Sequence, residues 1–296
     1  MNLRIHTTRI RLLGLAAAAM LGMTTSQALE LNKGDHVVLI GNALAERMQH
    51  HGWLESYAQA AMPDKELVFR NHGFGGDKVN NRPRNSGFPS ADAYLEISKT
   101  DVILAFWGYN ESFDNSPDAY RADLTKWIDE TNGKKYNDKG APTIVLFSPI
   151  AHENLGQANL PDGSANNERL AKYAEVTRQV ANEKGVEFVD LFDLSQDLYE
   201  RSKLPLTING IHLTSKGNNQ LARGIHKSLF GKSPRASGRK LARIRDAVLD
   251  KNWHWYNRYR ATDGNDVWGG RSGLRFVAGQ TNREVLQQEL KMIDVM

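Results

Sequence analysis

Histidine and carboxylate side chains in a few polar stretches give this sequence its capacity for chemistry. His212 lies in Asn209-Gly210-Ile211-His212-Leu213-Thr214, and Glu111 ends Gly108-Tyr109-Asn110-Glu111. Asp77 closes the glycine-rich run Asn71-His72-Gly73-Phe74-Gly75-Gly76-Asp77. His152-Glu153-Asn154 adds a second imidazole beside a carboxylate, and Glu46 opens Glu46-Arg47-Met48-Gln49-His50-His51-Gly52-Trp53. A histidine with one or two carboxylates could activate water or protonate a leaving group without a covalent step. Two carboxylates flanking a sugar bond is the arrangement glycosidases use. The same residues have plainer readings. Glu111 and Asp77 could serve only to accept backbone N–H groups in tight loops, His152 could cap a loop, and His50 and His51 read as helix-surface or packing residues. Cysteine is absent, which removes disulfides, thiolate nucleophiles and Cys-ligated metals. No metal-ligand spacing stands out, and no Lys-Ser/Thr follows the glycine run. Neither a metal, a phosphate loop nor another cofactor is expected.

The elements around these stretches decide whether they can meet. Residues 36–40 read as a buried strand ending at Gly41, and 43–61 as one helix. Further apolar runs at 67–70, 101–106, 143–147 and 186–189 read as strands. Amphipathic runs at about 117–131, 166–184, from Ser195, and at 215–229 read as helices. Short strands buried on both faces, alternating with helices, imply a parallel sheet covered by helices on each side. Ligands of such sheets bind beyond the C-terminal strand ends. The polar and glycine clusters follow the first, second and third strands, His152 follows the fourth, and the Asn209 cluster precedes the last helix. The pattern therefore brings them to one sheet edge.

Four of these segments, in order, resemble the signature blocks of the SGNH hydrolases, the GDSL esterase-like family. Gly41-Asn42-Ala43-Leu44 stands against the family's Gly-Asp-Ser-Leu, and Gly76 falls at its oxyanion-hole glycine. Gly108-Tyr109-Asn110-Glu111 stands against Gly-x-Asn-Asp, and Asn209 to His212 against Asp-x-x-His. The resemblance covers residues 35–229. It implies a flavodoxin-like three-layer α/β/α sandwich with a five-stranded parallel sheet. It also implies an active site in which a serine attacks an acyl carbonyl, the histidine takes its proton, and the aspartate fixes the ring tautomer. Backbone N–H groups and the asparagine amide would hold the oxyanion. Similarity of Glu46 to Trp53 to a Glu-Arg-x-Gln-like run places the chain in a bacterial subgroup with a non-serine first block.

Two departures from that plan govern the functional expectation. Ala43 has no side-chain oxygen, which closes the acyl-serine route. Asn209 is neutral where the family has a charge, and the comparable change in a serine protease costs about 10⁴ in rate, largely through the wrong tautomer. The resemblance leaves Ala43, Gly76, Asn110, Asn209 and His212 as the catalytic remnant, with Glu111 or Asp77 as a helper carboxylate. Asn42, Tyr109, His152 and Trp268 are candidate substrate contacts. The first reading is an exported hydrolase acting on a carbohydrate or related extracellular polymer, with an acylated glycan as ligand. The second is a catalytically silent domain that binds a glycan. An ordinary esterase with another nucleophile is a third.

The chain ends carry different signals. Arg4, Arg9 and Arg11 precede an apolar run and then small residues, the signature of a secretory signal peptide over residues 1–28. The apolar run is shorter than the ~20 residues a bilayer requires, so no stable membrane span is expected. Those three arginines account for most of the formal charge of +4, which gives little support for a nucleic-acid partner. A hydrolase-like domain is expected over residues 29–231. Residues 232–296 read as an extension, with 232–251 a solvated helical stretch. The aromatic segment from Trp253 to Trp268 reads either as a tail packed on the domain or as a sugar-binding lip.

Overall fold

The computed structural model describes residues 28–84, 87–260, 265, 268–275 and 278–296. The expected signal peptide falls outside these, apart from residue 28. Five strands are present: β1 (His36–Gly41), β2 (Val68–Asn71), β3 (Val102–Phe106), β4 (Thr143–Phe147) and β5 (Glu187–Val189). They form one sheet in the order β2-β1-β3-β4-β5, and every neighbouring pair is parallel. All five residues of β3 are buried, as a central strand covered on both faces requires. Alternate side chains point to opposite faces. Val37, Leu39, Leu104, Phe106, Val145 and Phe147 enter one core, whereas Val38, Ile40, Ile103, Ala105, Ile144 and Leu146 enter the other. The sandwich is therefore three-layered.

Helices α1 (Ala43–Met48), α2 (Trp53–Ala61) and α7 (Ser215–Phe230) supply the first face, through residues such as Leu54, Tyr57, Leu221 and Ile225. Helices α4 (Pro117–Asn132) and α5 (Ser164–Lys184) supply the second, through Leu124, Trp127, Ile128, Tyr173 and Val180. Helices α3 (Ala91–Ile97) and α6 (Leu191–Arg201) complete the layers. The helix expected over 43–61 is interrupted. Gly52 adopts φ +66, and a Cβ there would stand 3.1 Å from Val248 Cγ1. The left-handed turn at this glycine ends one helix, redirects the chain into the next, and gives a later helix room to approach.

That later helix, α8 (Gly238–Tyr259), corrects the expectation of a solvated stretch at 232–251. Leu241, Val248, Lys251, Asn252, Trp255, Arg258 and Tyr259 form a buried stripe, spaced three, four or seven apart as one helical face demands. The stripe covers the free edge of β2. Lys251 Nζ donates to Phe69 O at 2.9 Å, and Trp255 Nε1 donates to Asn71 O at 2.7 Å. Tyr259 Oη continues the row by donating to His72 O at 3.0 Å. Four helical residues rise about 6 Å and two strand residues about 6.6 Å, so donors one turn apart meet carbonyls two residues apart. The edge is thereby closed to other strands. A last helix, α9 (Asn282–Val295), begins with a Thr281–Glu284 capping box and docks Asp294 on buried Arg70 at 2.6 Å. No helix among the described residues is long and apolar enough to cross a membrane.

Candidate active site

The site begins where β1 turns into α1. Gly41 has φ +134, and a Cβ on it would lie 2.3 Å from Phe106 O, so only glycine lets β1 end this close to β3. Asn42 caps α1 by accepting from Leu44 N, which leaves Ala43 as the first helical residue. Its N–H has no acceptor within the helix. The glycine run after β2 lies directly on this turn. Phe74 N donates to Gly41 O at 2.9 Å, and a Cβ on Gly73 would stand 2.4 Å from Glu46 N. Asn71 ties the two together, accepting from Gly73 N and donating to Ala45 O. Gly76 is exposed at the tip of this loop.

The carboxylates proposed as helpers are committed to structure. Glu111 is 5% exposed, and its two oxygens accept from Val79 N at 2.8 Å and Gly108 N at 2.9 Å. Burial pushes its pKa up, against the pull of those N–H groups. Asp77 pairs in a two-pronged manner with Arg84 at 2.9 Å; burial pushes it up and Arg84 opposes. Asn110 donates to Asp77 O at 2.9 Å and to Gly75 O at 3.4 Å, bracing the glycine loop. His152 is buried, bonded through Nδ1 to Asn166, and gripped between Gly163 and Gly210, at each of which a Cβ would lie within 2.6 Å of its ring. Trp268 packs edge-on to Tyr94 with Arg258 over its ring, in the aromatic cluster behind the glycine loop.

His212 reaches the site by another route. Glu153, which the sequence reading gave no separate role, accepts from Leu206 N, Thr207 N and Thr207 Oγ1 at 2.7–3.0 Å, and its own N–H donates to Gly210 O. The Asn209–His212 turn is thus anchored to the end of β4. Within it, Asn209 Oδ1 accepts from His212 N at 2.9 Å and Ile211 N at 3.3 Å. Those backbone donors turn the amide oxygen, not its NH₂, towards the ring, 3.2 Å from His212 Nδ1. Nδ1 must therefore carry the hydrogen, and Nε2 keeps its lone pair. Asn209 lacks the charge of an aspartate but enforces the tautomer an aspartate would. Burial lowers the His212 pKa below the ordinary 6.5; Arg47 adds to the fall and Glu46 partly offsets it. The imidazole is neutral at pH 7.

One pocket gathers part of this set. Asn42, Ala43, Tyr109 and His212 line it with Arg47, Ser148 and a mainly apolar wall that includes Phe106, Trp107, Pro149 and Ile150. Gly76, Asp77, Asn110, Glu111, His152, Asn209 and Trp268 do not line it; apart from exposed Gly76, each has the structural contacts described above. Arg47 and Ser148 were missed as pocket residues. Arg47 had a signal, its place four residues after Ala43 on one helix face. Ser148 had none, since its partners, Leu191 N, Phe192 N and Asp190, lie on a later helix.

A nucleophile-elbow-like turn, a glycine loop and an oriented histidine at the C-terminal edge of a parallel sheet define a hydrolase-type α/β protein. The chain belongs to the GDSL-like Lipase/Acylhydrolase family, whose model matches residues 40–220. Among curated proteins none matches it. Similar solved structures include a catalytic mutant of Axe2, an acetylxylan esterase from Geobacillus stearothermophilus, at 18% identity and TM-score 0.55, covering 71% of this chain and 100% of that one. LAE5, an alpha/beta hydrolase enzyme from the metagenome of Lake Arreo, Spain, aligns at 18% identity and TM-score 0.52, over 67% of this chain and 96% of its own. A gut microbial diltiazem-metabolizing enzyme, BT4096, aligns at 18% identity and TM-score 0.53, over 68% of this chain and 48% of its own. At these identities the likeness speaks for the fold alone.

Proposed function

We propose that this protein is an exported hydrolase of acylated carbohydrate in which water, not a serine, attacks the acyl group. The observation that carries the reading is the pinned Asn209 oxygen, which leaves His212 Nε2 as a neutral base beside the pocket that Ala43 lines. In the reaction, Nε2 takes a proton as the water oxygen bonds to the acyl carbon. The ester C–O bond then breaks, and the departing sugar oxygen takes the proton back from the imidazolium. Carboxylic acid and free hydroxyl result. The N–H of Ala43, which lines the pocket, is the candidate donor to the transient oxyanion; Gly76 lies off the pocket wall, and Asn110, spent on loop carbonyls, holds the loop instead. A glycosidase reading is weaker, because Glu111 and Asp77 are bound to backbone N–H groups and to Arg84. The name of one protein of similar fold, the acetylxylan esterase Axe2, is the ground for choosing a carbohydrate ester as the candidate substrate, and the leader-like first 28 residues are the ground for export.

Acetate release from acetylated xylo-oligosaccharides tests this. His212→Ala is expected to lower the rate at least about 10²-fold, the lower end of what a positioned base supplies. The rate should fall on acidification, with a midpoint below pH 6.5, because the base must be neutral and its pKa is depressed. Equal release by the wild type and the variant would refute the assignment. The neutrality of both Ala43 and Asn209 favours a second reading, a silent glycan-binding domain, which predicts saturable binding and no acetate from either protein.

A further inference from the structure

We infer that Arg47 makes this pocket selective for a ligand that carries a carboxylate next to the group presented to His212. The inference rests on the pocket being the ligand site, and it adds the class of ligand that the pocket takes. Arg47 follows Ala43 by one turn of α1, and both residues line the pocket. Among the described residues its charge is the only formal charge on the pocket wall. No Asp or Glu lines that wall, and no carboxylate among the described residues pairs with Arg47. The adjacent Glu46 instead gives Oε1 to His50 at 3.1 Å. Arg47 Nε is buried without a hydrogen-bond partner.

An arginine with a buried, unpaired Nε at an apolar pocket is costly unless something pairs with it. Its planar fork matches a carboxylate, which accepts two parallel N–H bonds. The neutral His212 and the amide of Asn42 bring no negative charge to the wall; the nearby carboxylate, Glu46, lies off the wall, is bonded to His50, and is acted on by both Arg47 and Arg260. The surroundings reinforce the sign of the field. Arg260 stacks on Phe74 of the glycine loop and lies close enough to act on both Glu46 and Asp77.

Calorimetric titration of the full chain with a glucuronate-bearing oligosaccharide and with its matched uronamide tests the inference. The uronamide keeps the shape and removes the charge, and neither probe carries an acyl ester, so binding is read without turnover. The wild type is expected to bind the acid about 10- to 100-fold more tightly, the range of one charge-assisted contact. Arg47→Met keeps the apolar stem and should bind both probes alike, at the uronamide's level. It should also raise the pH at which His212 protonates, since the guanidinium no longer opposes the charge. Equal affinity of the wild type for acid and amide, absence of binding by the acid, or a preference that survives in Arg47→Met would overturn the inference. A failed hydrolysis assay alongside intact acid selectivity would sink the esterase reading and leave this one standing.

Discussion

Replacing Ala43 by serine is expected to create a covalently reactive site where the wild type has none. The substituted hydroxyl would stand at the first residue of α1, in the pocket that His212 also lines. There Nε2 is already the free-lone-pair nitrogen. Fluorophosphonate should label Ala43→Ser and leave the wild type unlabelled. Turnover of p-nitrophenyl acetate should rise at least about 10³-fold, within the roughly 2 × 10⁶ that a complete serine triad contributes in a protease. Adding Asn209→Asp should raise it again, but by less than about 10⁴. Most of that larger factor in a protease reflects a wrong tautomer, and here the tautomer is already correct. An unlabelled Ala43→Ser variant, or a full 10⁴ gain from the aspartate, would contradict the geometry assigned to Asn209 and His212.

The second large effect concerns stability in acid. His72 is fully buried in a three-ring cluster, its ring 5.5 Å from Trp255 and 5.1 Å from Tyr259, which lie 5.6 Å from each other, with Nε2 bonded to Ser98 Oγ at 2.9 Å. Burial, with Arg84 and Arg70 adding to it, pushes its pKa down to about 3. The unfolded chain takes up a proton at this histidine near the ordinary 6.5, whereas the folded chain refuses it until about pH 3. Between those values unfolding binds a proton, so stability falls as the pH falls. The contribution is whole above pH 6.5 and is lost progressively down to about pH 3. At about 1.4 kcal/mol for each pH unit, the loss reaches up to about 5 kcal/mol. His72→Phe keeps a ring in the cluster and cannot titrate. Its stability at pH 7 should drop by only about 1 kcal/mol for the lost Ser98 bond. Its urea midpoint should then vary less with pH than that of the wild type between pH 6.5 and 4. Parallel pH curves for the two proteins would show that His72 is not held neutral.

The strands were the most legible part of the fold, because a run buried on both faces needs no partner to be recognised. The reading at 143–147 coincides with β4, and that at 101–106 begins one residue before β3. Helix boundaries inside the expected stretch 43–61 were not legible. The break depends on Gly52 meeting Val248, almost two hundred residues later. The stripe of α8 was hidden among arginines and lysines that face solvent, although Leu241, Val248, Trp255 and Tyr259 keep helical spacing. The start of α9 was written as Thr281-x-x-Glu284, a capping-box signal that went unread.

In the site, the first block and His212 could be placed from motif order. The fate of the carboxylates could not. Glu111 finds Val79 N thirty-two residues back in the chain, and Asp77 finds Arg84 across a loop, so the choice between catalysis and loop-holding is made by tertiary contacts. Asn209 shows the reverse case. Its residue type argued for a defective dyad, whereas the backbone N–H groups of Ile211 and His212 orient its oxygen into the role of a neutral aspartate substitute.

Intact-protein mass spectrometry on rapidly quenched turnover of an acylated oligosaccharide bears most directly on a water nucleophile steered by His212. The account predicts released acid at every time point, with the protein at its unmodified mass throughout. A protein fraction heavier by one acyl group during turnover would contradict it, and so would the absence of any released acid.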